Sequence, residues 1–90
     1  MNKAELIGLI ARDADLSKRA AGDALNSFIK NVSNALARKN RVTLVGFGTF
    51  EVRMRKARRG KNPRTGATLN IPAKNVAKFR AGAELKKKVR

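Results

Sequence analysis

Between Arg53 and Arg64 the chain carries seven basic residues, no acid, and only Met54 and Ala57 as apolar side chains. A stretch of that composition has little to hold it against a hydrophobic core. The residues on either side are nevertheless patterned for order. Thr49-Phe50-Glu51-Val52-Arg53-Met54-Arg55 alternates strictly, with Phe50, Val52 and Met54 on one face and Glu51, Arg53 and Arg55 on the other. Alternation resumes at Thr68-Leu69-Asn70-Ile71-Pro72, and Val76 and Phe79 mark a returning strand. Gly60, Asn62, Pro63 and Gly66 supply turn chemistry between the two limbs. The simplest geometry is a β-hairpin whose base is packed and whose distal half projects into solvent. Ten residues per limb at about 3.3 Å each would reach roughly 30 Å.

Upstream the period is helical. Asn2 followed by Glu5 has the form of a capping box, and Leu6, Ile7, Ile10 and Ala14 recur at helical spacing, predicting a first helix to about Asp13. Ser17 is a second N-cap candidate. Ala21, Leu25, Phe28, Val32 and Ala35 then follow a 4-3-4-3 rhythm, widened by Ile29 and Leu36, over a helix spanning residues 18–39. Two helices joined by a tight turn invite a helix-turn-helix reading. The second helix is apolar over too broad a face for that, so Phe28, Ile29, Val32 and Leu36 are expected in a core or dimer seam. After Asn40 the period changes to strand-like Arg41–Val45, with Leu44 inward, and a turn at Gly46-Phe47-Gly48. Gly82 breaks the chain, and Ala83–Arg90 reads as a short basic helix with Leu85 and Val89 facing inward. The expected architecture is α+β in a single domain of residues 1–90. Residues 1–40 form a helical hairpin for dimerisation, 41–80 a three-stranded antiparallel sheet extended into a long β-arm, and 83–90 the last helix.

Twenty-two Lys+Arg against six Asp+Glu make the net charge +16. Eight basic and four acidic residues lie in 1–50, fourteen and two in 51–90, so +12 of the excess belongs to the half with the arm. Such a surface expects a polyanionic partner. Fourteen of the apolar residues are Ala and only four are aromatic, all Phe. A small Ala-rich core under self-repulsion is marginal for a monomer, and homodimerisation adds burial without adding sequence. The absence of Cys and His removes thiolate and imidazole chemistry, so neither metal nor cofactor is expected. Asp13 and Asp15 are the only closely spaced carboxylates and read as helix-end and turn residues, and Gly60-Lys61 lacks phosphate-loop spacing. No catalytic residues are assigned. No apolar run approaches the roughly 20 residues that span a bilayer, and a soluble, intracellular, non-catalytic protein is expected.

A basic β-ribbon can enter the narrow minor groove of duplex DNA, where an α-helix does not fit. Pro63 at the tip offers a rigid apolar ring that could wedge between base pairs, although Asn62-Pro63-Arg64-Thr65-Gly66 also reads simply as a turn. Phe47 and Phe50 could stack single-stranded bases, but their strand setting favours the core. A ribosomal or RNA-packaging protein is the rival of another class, which makes RNA a secondary partner. Membrane binding is disfavoured because the amphipathic helices carry acids.

Gly46-Phe47-Gly48-Thr49-Phe50, Gly60-Lys61-Asn62-Pro63-Arg64-Thr65-Gly66 and Ala73-Lys74-Asn75-Val76-Ala77-Lys78-Phe79 resemble the bacterial HU/IHF family of histone-like DNA-binding proteins. The resemblance covers essentially the whole chain and is more like an HU homodimer subunit. It implies a nucleoid-associated, cytoplasmic protein, an intertwined dimer whose two arms embrace and bend double-stranded DNA through the minor groove. A heterodimer with a paralogue stays open. On this chain it implies Pro63 as the intercalating wedge and Arg53, Arg55, Arg58, Arg59, Lys61 and Arg64 as arm contacts. Asn62 and Thr65 would shape the tip. Gly46 would bring backbone amides to a phosphate, assisted by Lys3, Lys74 and Lys86, and Phe47, Phe50 and Phe79 would be core aromatics around the dimer interface. Two positions depart from the pattern: Ala81, where many members have Pro, and Lys61, where some have Arg.

Overall fold

The computed structural model describes residues Met1–Arg90. The chain divides into two compact units, Met1–Asn34 and Ala35–Arg90, with the division inside the second helix.

The first unit holds α1 (Lys3–Asp13) and most of α2 (Lys18–Ala37). Both starts use the caps read from the sequence: Glu5 N donates to Asn2 Oδ1 at 2.9 Å, and Ala20 N to Ser17 Oγ at 3.0 Å. Each side chain thereby satisfies an amide that the first helical turn leaves without a partner. Both ends also close alike. Leu16 N reaches back to Ala11 O and Asn40 N to Ala35 O, both at 2.8 Å, around Asp15 at φ +56° and Lys39 at φ +62°. This is a Schellman closure with non-glycine residues in the left-handed position. Ala11 and Ala21 are buried, and Ile7 Cδ1 lies 3.6 Å from where a Cβ on Gly22 would stand.

The second unit contains β1 (Val42–Leu44), β2 (Gly48–Arg55), β3 (Arg58–Lys61), β4 (Thr68–Ile71), β5 (Lys74–Ala81) and α3 (Ala83–Val89). β1, β2 and β5 form an antiparallel sheet in the order β1-β2-β5, while β3 and β4 pair separately. The expected continuous arm is therefore interrupted, at Lys56-Ala57 on one limb and Pro72-Ala73 on the other. Its register is not disturbed: Arg55 pairs with Lys74 and Arg58 with Ile71, so two residues are skipped on each side. Pro72 has no N–H to donate, which accounts for a gap in the ladder there. Burial along β2 fades from Gly48 and Thr49, which are buried, to Arg53–Arg55, which are exposed, as a packed root and a solvated distal half require.

Phe79 is the hub of the root. Its ring centroid lies 4.9 Å from that of Phe50, its cross-strand partner, and 5.4 Å from that of Phe47, both in tilted geometry. The β1–β2 turn also docks on the start of α3: Gly82 N donates to Phe47 O at 2.8 Å and Leu85 N to Gly46 O at 3.2 Å. Leu85 is half-buried as expected, but Val89 is 74% exposed, which corrects the inward reading of the last helix. The helix is only seven residues long, and Val89 is its final residue. Phe79→Ala is expected to lower stability by at least about 2 kcal/mol, the 44% exposure of Phe79 in the single chain setting the lower bound. Urea unfolding at fixed protein concentration measures it.

Candidate nucleic-acid interface

The tip is a four-residue loop closed by its own side chains. Asn62 N donates to Ala67 O and Gly66 N to Asn62 O, both at 2.8 Å, which continues the arm register to its last pair. Asn62 Oδ1 accepts from Arg64 N at 2.8 Å and Thr65 Oγ1 from Ala67 N at 3.2 Å. Gly66, at φ +71°, takes the left-handed position that a side chain disfavours. Asn62 and Thr65 thus shape the tip, and Pro63, next to the anchored Asn62, is exposed.

Along the ribbon the basic residues divide between two faces. Partners across an antiparallel ladder share a face and successive residues alternate. At the root, Arg53 and Arg55 therefore lie with Glu51, Lys74, Val76 and Lys78. Beyond the interruption, Arg59 and Lys61 lie with Asn70 and Thr68, whereas Arg58 lies with Gly60, Leu69 and Ile71. One face of the distal arm is wholly polar, and the other combines a guanidinium with two aliphatic side chains. Such a ribbon can meet phosphates with either face and apolar sugar surface with one.

Arg64 is exposed at the tip, Lys3 is exposed in the first turn of α1, and Lys86 lies in α3. Lys74 is brought opposite Arg55. Gly46 (φ +84°) is held by α3: its carbonyl accepts from Leu85 N, and an added Cβ would stand 3.0 Å from Glu84 Cγ. Those contacts give Gly46 a structural task beside the phosphate contact that the resemblance implies. Leu44, Phe47, Phe50 and Phe79 lie together in the sheet unit, while Phe28, Ile29 and Val32 lie along α2 in the first unit, with Leu36 in its last turn.

Three residues of this surface were not singled out by the sequence reading. Lys78 and Arg80 continue the basic face of the root, opposite Glu51 and Thr49. Their signal was available in the period-2 spacing Lys74, Lys78, Arg80. The third is Glu51, whose Oε1 accepts from Arg53 Nε at 3.2 Å and lies 3.2 Å from Arg53 Nη2. Of the carboxylates at helix ends, Asp13 pairs with the neighbouring Arg12 at 3.1 Å, an exposed local contact.

The family model described as bacterial DNA-binding protein matches residues 1–90. The chain is 48% identical over 90 residues to DNA-binding protein HU of Staphylococcus aureus, covering the whole of both chains. It is 53% identical over 89 residues to DNA-binding protein HU of Clostridium pasteurianum, covering 99% of this chain and 98% of that one. Among solved structures it is similar to the Anabaena HU–DNA cocrystal structure, with a TM-score of 0.92 and 43% identity over 99% of this chain and 97% of the other. Over its full length, the chain belongs to the bacterial DNA-binding protein family of HU proteins.

Proposed function

We propose that this is a histone-like architectural protein of the nucleoid that binds double-stranded DNA largely without sequence selectivity, by charge and shape. The observation that carries the reading is the exposed β-ribbon, basic on both faces and capped by a rigid loop that presents Pro63. Phosphate neutralisation by such a ribbon releases counterions whatever the sequence, so affinity falls steeply with salt. The ribbon enters the minor groove, and the Pro63 ring inserts at a base step and kinks the duplex. Bending costs on the order of 1–6 kcal/mol for a site of 20–30 base pairs. Gapped, nicked or pre-bent DNA avoids part of that cost and is preferred.

The functional unit is a homodimer acting as one domain. No large side chain is fully buried in the single chain, and Phe28, Ile29, Phe47 and Phe79 remain 41–48% exposed. Its accessible surface is 7666 Å², roughly half as much again as the ~5200 Å² expected of a folded monomer of 9.8 kDa. A second copy covering those faces supplies the missing burial and a second arm.

Affinity for straight duplex, gapped duplex and duplex RNA, compared across a salt series, tests the function. Equal binding of straight and gapped DNA would remove the wedge mechanism, and preference for RNA would overturn the reading. Arg55→Ala and Arg58→Ala are each expected to flatten the slope of log K against log salt by about 0.9 per engaged arm, one phosphate each. Fluorescence anisotropy measures the slope.

A further inference from the structure

Glu51 is the only acid between Val42 and Ala81, and it stands within the most basic surface of the molecule. Its side chain is 14% exposed, whereas that of Arg53 beside it is 64% exposed. Two guanidinium nitrogens, Nε and Nη2, converge on the one oxygen Oε1, each at 3.2 Å. Strand alternation puts both residues on the same face, and the ladder puts Lys78 directly opposite Glu51. A guanidinium recognises carboxylate and phosphate through the same planar donors.

We propose that Glu51 is an internal stand-in for phosphate, a positioning residue that neutralises Arg53 in the free protein and must surrender it when DNA binds. This rests on the reading of the arm as the DNA-binding surface. The exchange is balanced within the fold. When a backbone phosphate takes the exposed guanidinium, Lys78, a cross-strand neighbour at ordinary pairing distance, is the cation left to Glu51. Arg53 therefore differs from Arg55, for which no carboxylate stands across the ladder or two residues further along the strand. Arg55 adds a full counterion-release step on binding. Arg53 adds much less, because its charge is already compensated. Glu51 thus sets the affinity of the arm root below what its basic residues alone would produce.

The test is a double-mutant cycle read as a salt slope. Full-length wild type, Glu51→Gln, Arg53→Ala and the double variant are titrated against a gapped duplex by fluorescence anisotropy from low to moderate salt. Asp23→Asn, an exposed acid on α2, serves as a control that changes net charge equally. Glu51→Gln is expected to steepen the slope by about 0.9 per engaged arm. It should steepen nothing in the Arg53→Ala background, and Arg53→Ala alone should flatten the slope far less than Arg55→Ala does. If Glu51→Gln behaves like Asp23→Asn, or steepens the slope equally without Arg53, the proposal is overturned. Should Arg55→Ala flatten the slope while Glu51→Gln leaves it alone, this inference fails and the arm reading stands. If neither moves it, the arm reading falls as well. A readout on the unaltered protein is the Arg53 Nε–Hε resonance, which should shift on addition of DNA; an unmoved resonance in the bound state contradicts the exchange. A purely structural Glu51 would move the melting temperature and not the slope.

Discussion

Replacing Pro63 with Ala is expected to abolish most of the protein-induced kink in straight duplex while leaving affinity for gapped duplex within about threefold. An inserted apolar side chain produces kinks of roughly 20–90° and costs a few kcal/mol of base unstacking. Ala has neither the ring nor the reach to hold a base step open. A gapped duplex has already lost that stacking, so its binding depends on the basic residues, which the substitution leaves untouched. The tip should survive, because Asn62 Oδ1 and Thr65 Oγ1 accept from backbone amides that Pro63 does not supply. The measurements are end-to-end FRET on straight duplex and anisotropy on gapped duplex. An unchanged bend angle would remove Pro63 from the wedge role. A loss of affinity equal on both substrates would make it a mere surface contact.

Gly82→Ala is expected to lower stability by about 2–3 kcal/mol, or roughly 10–20 °C in Tm for a domain of this size. Gly82 has an ordinary φ of −80°, so backbone strain is not the reason. A Cβ there would stand 2.6 Å from Gly46 O and 2.8 Å from Gly46 C. Those are backbone atoms, which cannot rotate out of the way as a side chain can. The turn and α3 would have to separate, weakening the hydrogen bonds from Gly82 N to Phe47 O and from Leu85 N to Gly46 O. The contrast is Gly22→Ala, where the nearest atom is the flexible Ile7 Cδ1 at 3.6 Å. A helix-interior Gly replaced by Ala gains about 0.5–1 kcal/mol, so that variant should melt higher. Thermal melts must be compared at equal concentration, since dimerisation couples Tm to it. If Gly82→Ala melts no lower than the unaltered protein, the close packing inferred at Gly82 is wrong.

Features encoded within a few residues were legible in the sequence. Asn2 and Ser17 cap the helices because a short polar side chain reaches an amide three positions on, and no tertiary contact is needed. Strict alternation placed Glu51, Arg53 and Arg55 on one face of β2, and the same rule could have found Lys78 and Arg80 on β5. Val89 was misjudged because helical spacing says which residues share a stripe, but not where the surface under the stripe ends. The interruption of the arm was half legible. Pro72 announced a missing donor, yet only the pairing of Arg58 with Ile71 reveals that the register survives it.

The sequence by itself determined the order and type of the elements, the tight basic tip and the concentration of positive charge in the second half. Period, capping and turn chemistry are local, and composition is additive along the chain. Tertiary structure alone decided the neighbours across space: the Gly46–Gly82 backbone approach, the Phe79 hub, the cross-strand grouping of basic residues on the two ribbon faces and the placement of Lys78 opposite Glu51. Such proximities depend on strand register and on packing between segments distant in sequence. A one-residue slip in that register would turn each of these side chains to the other face.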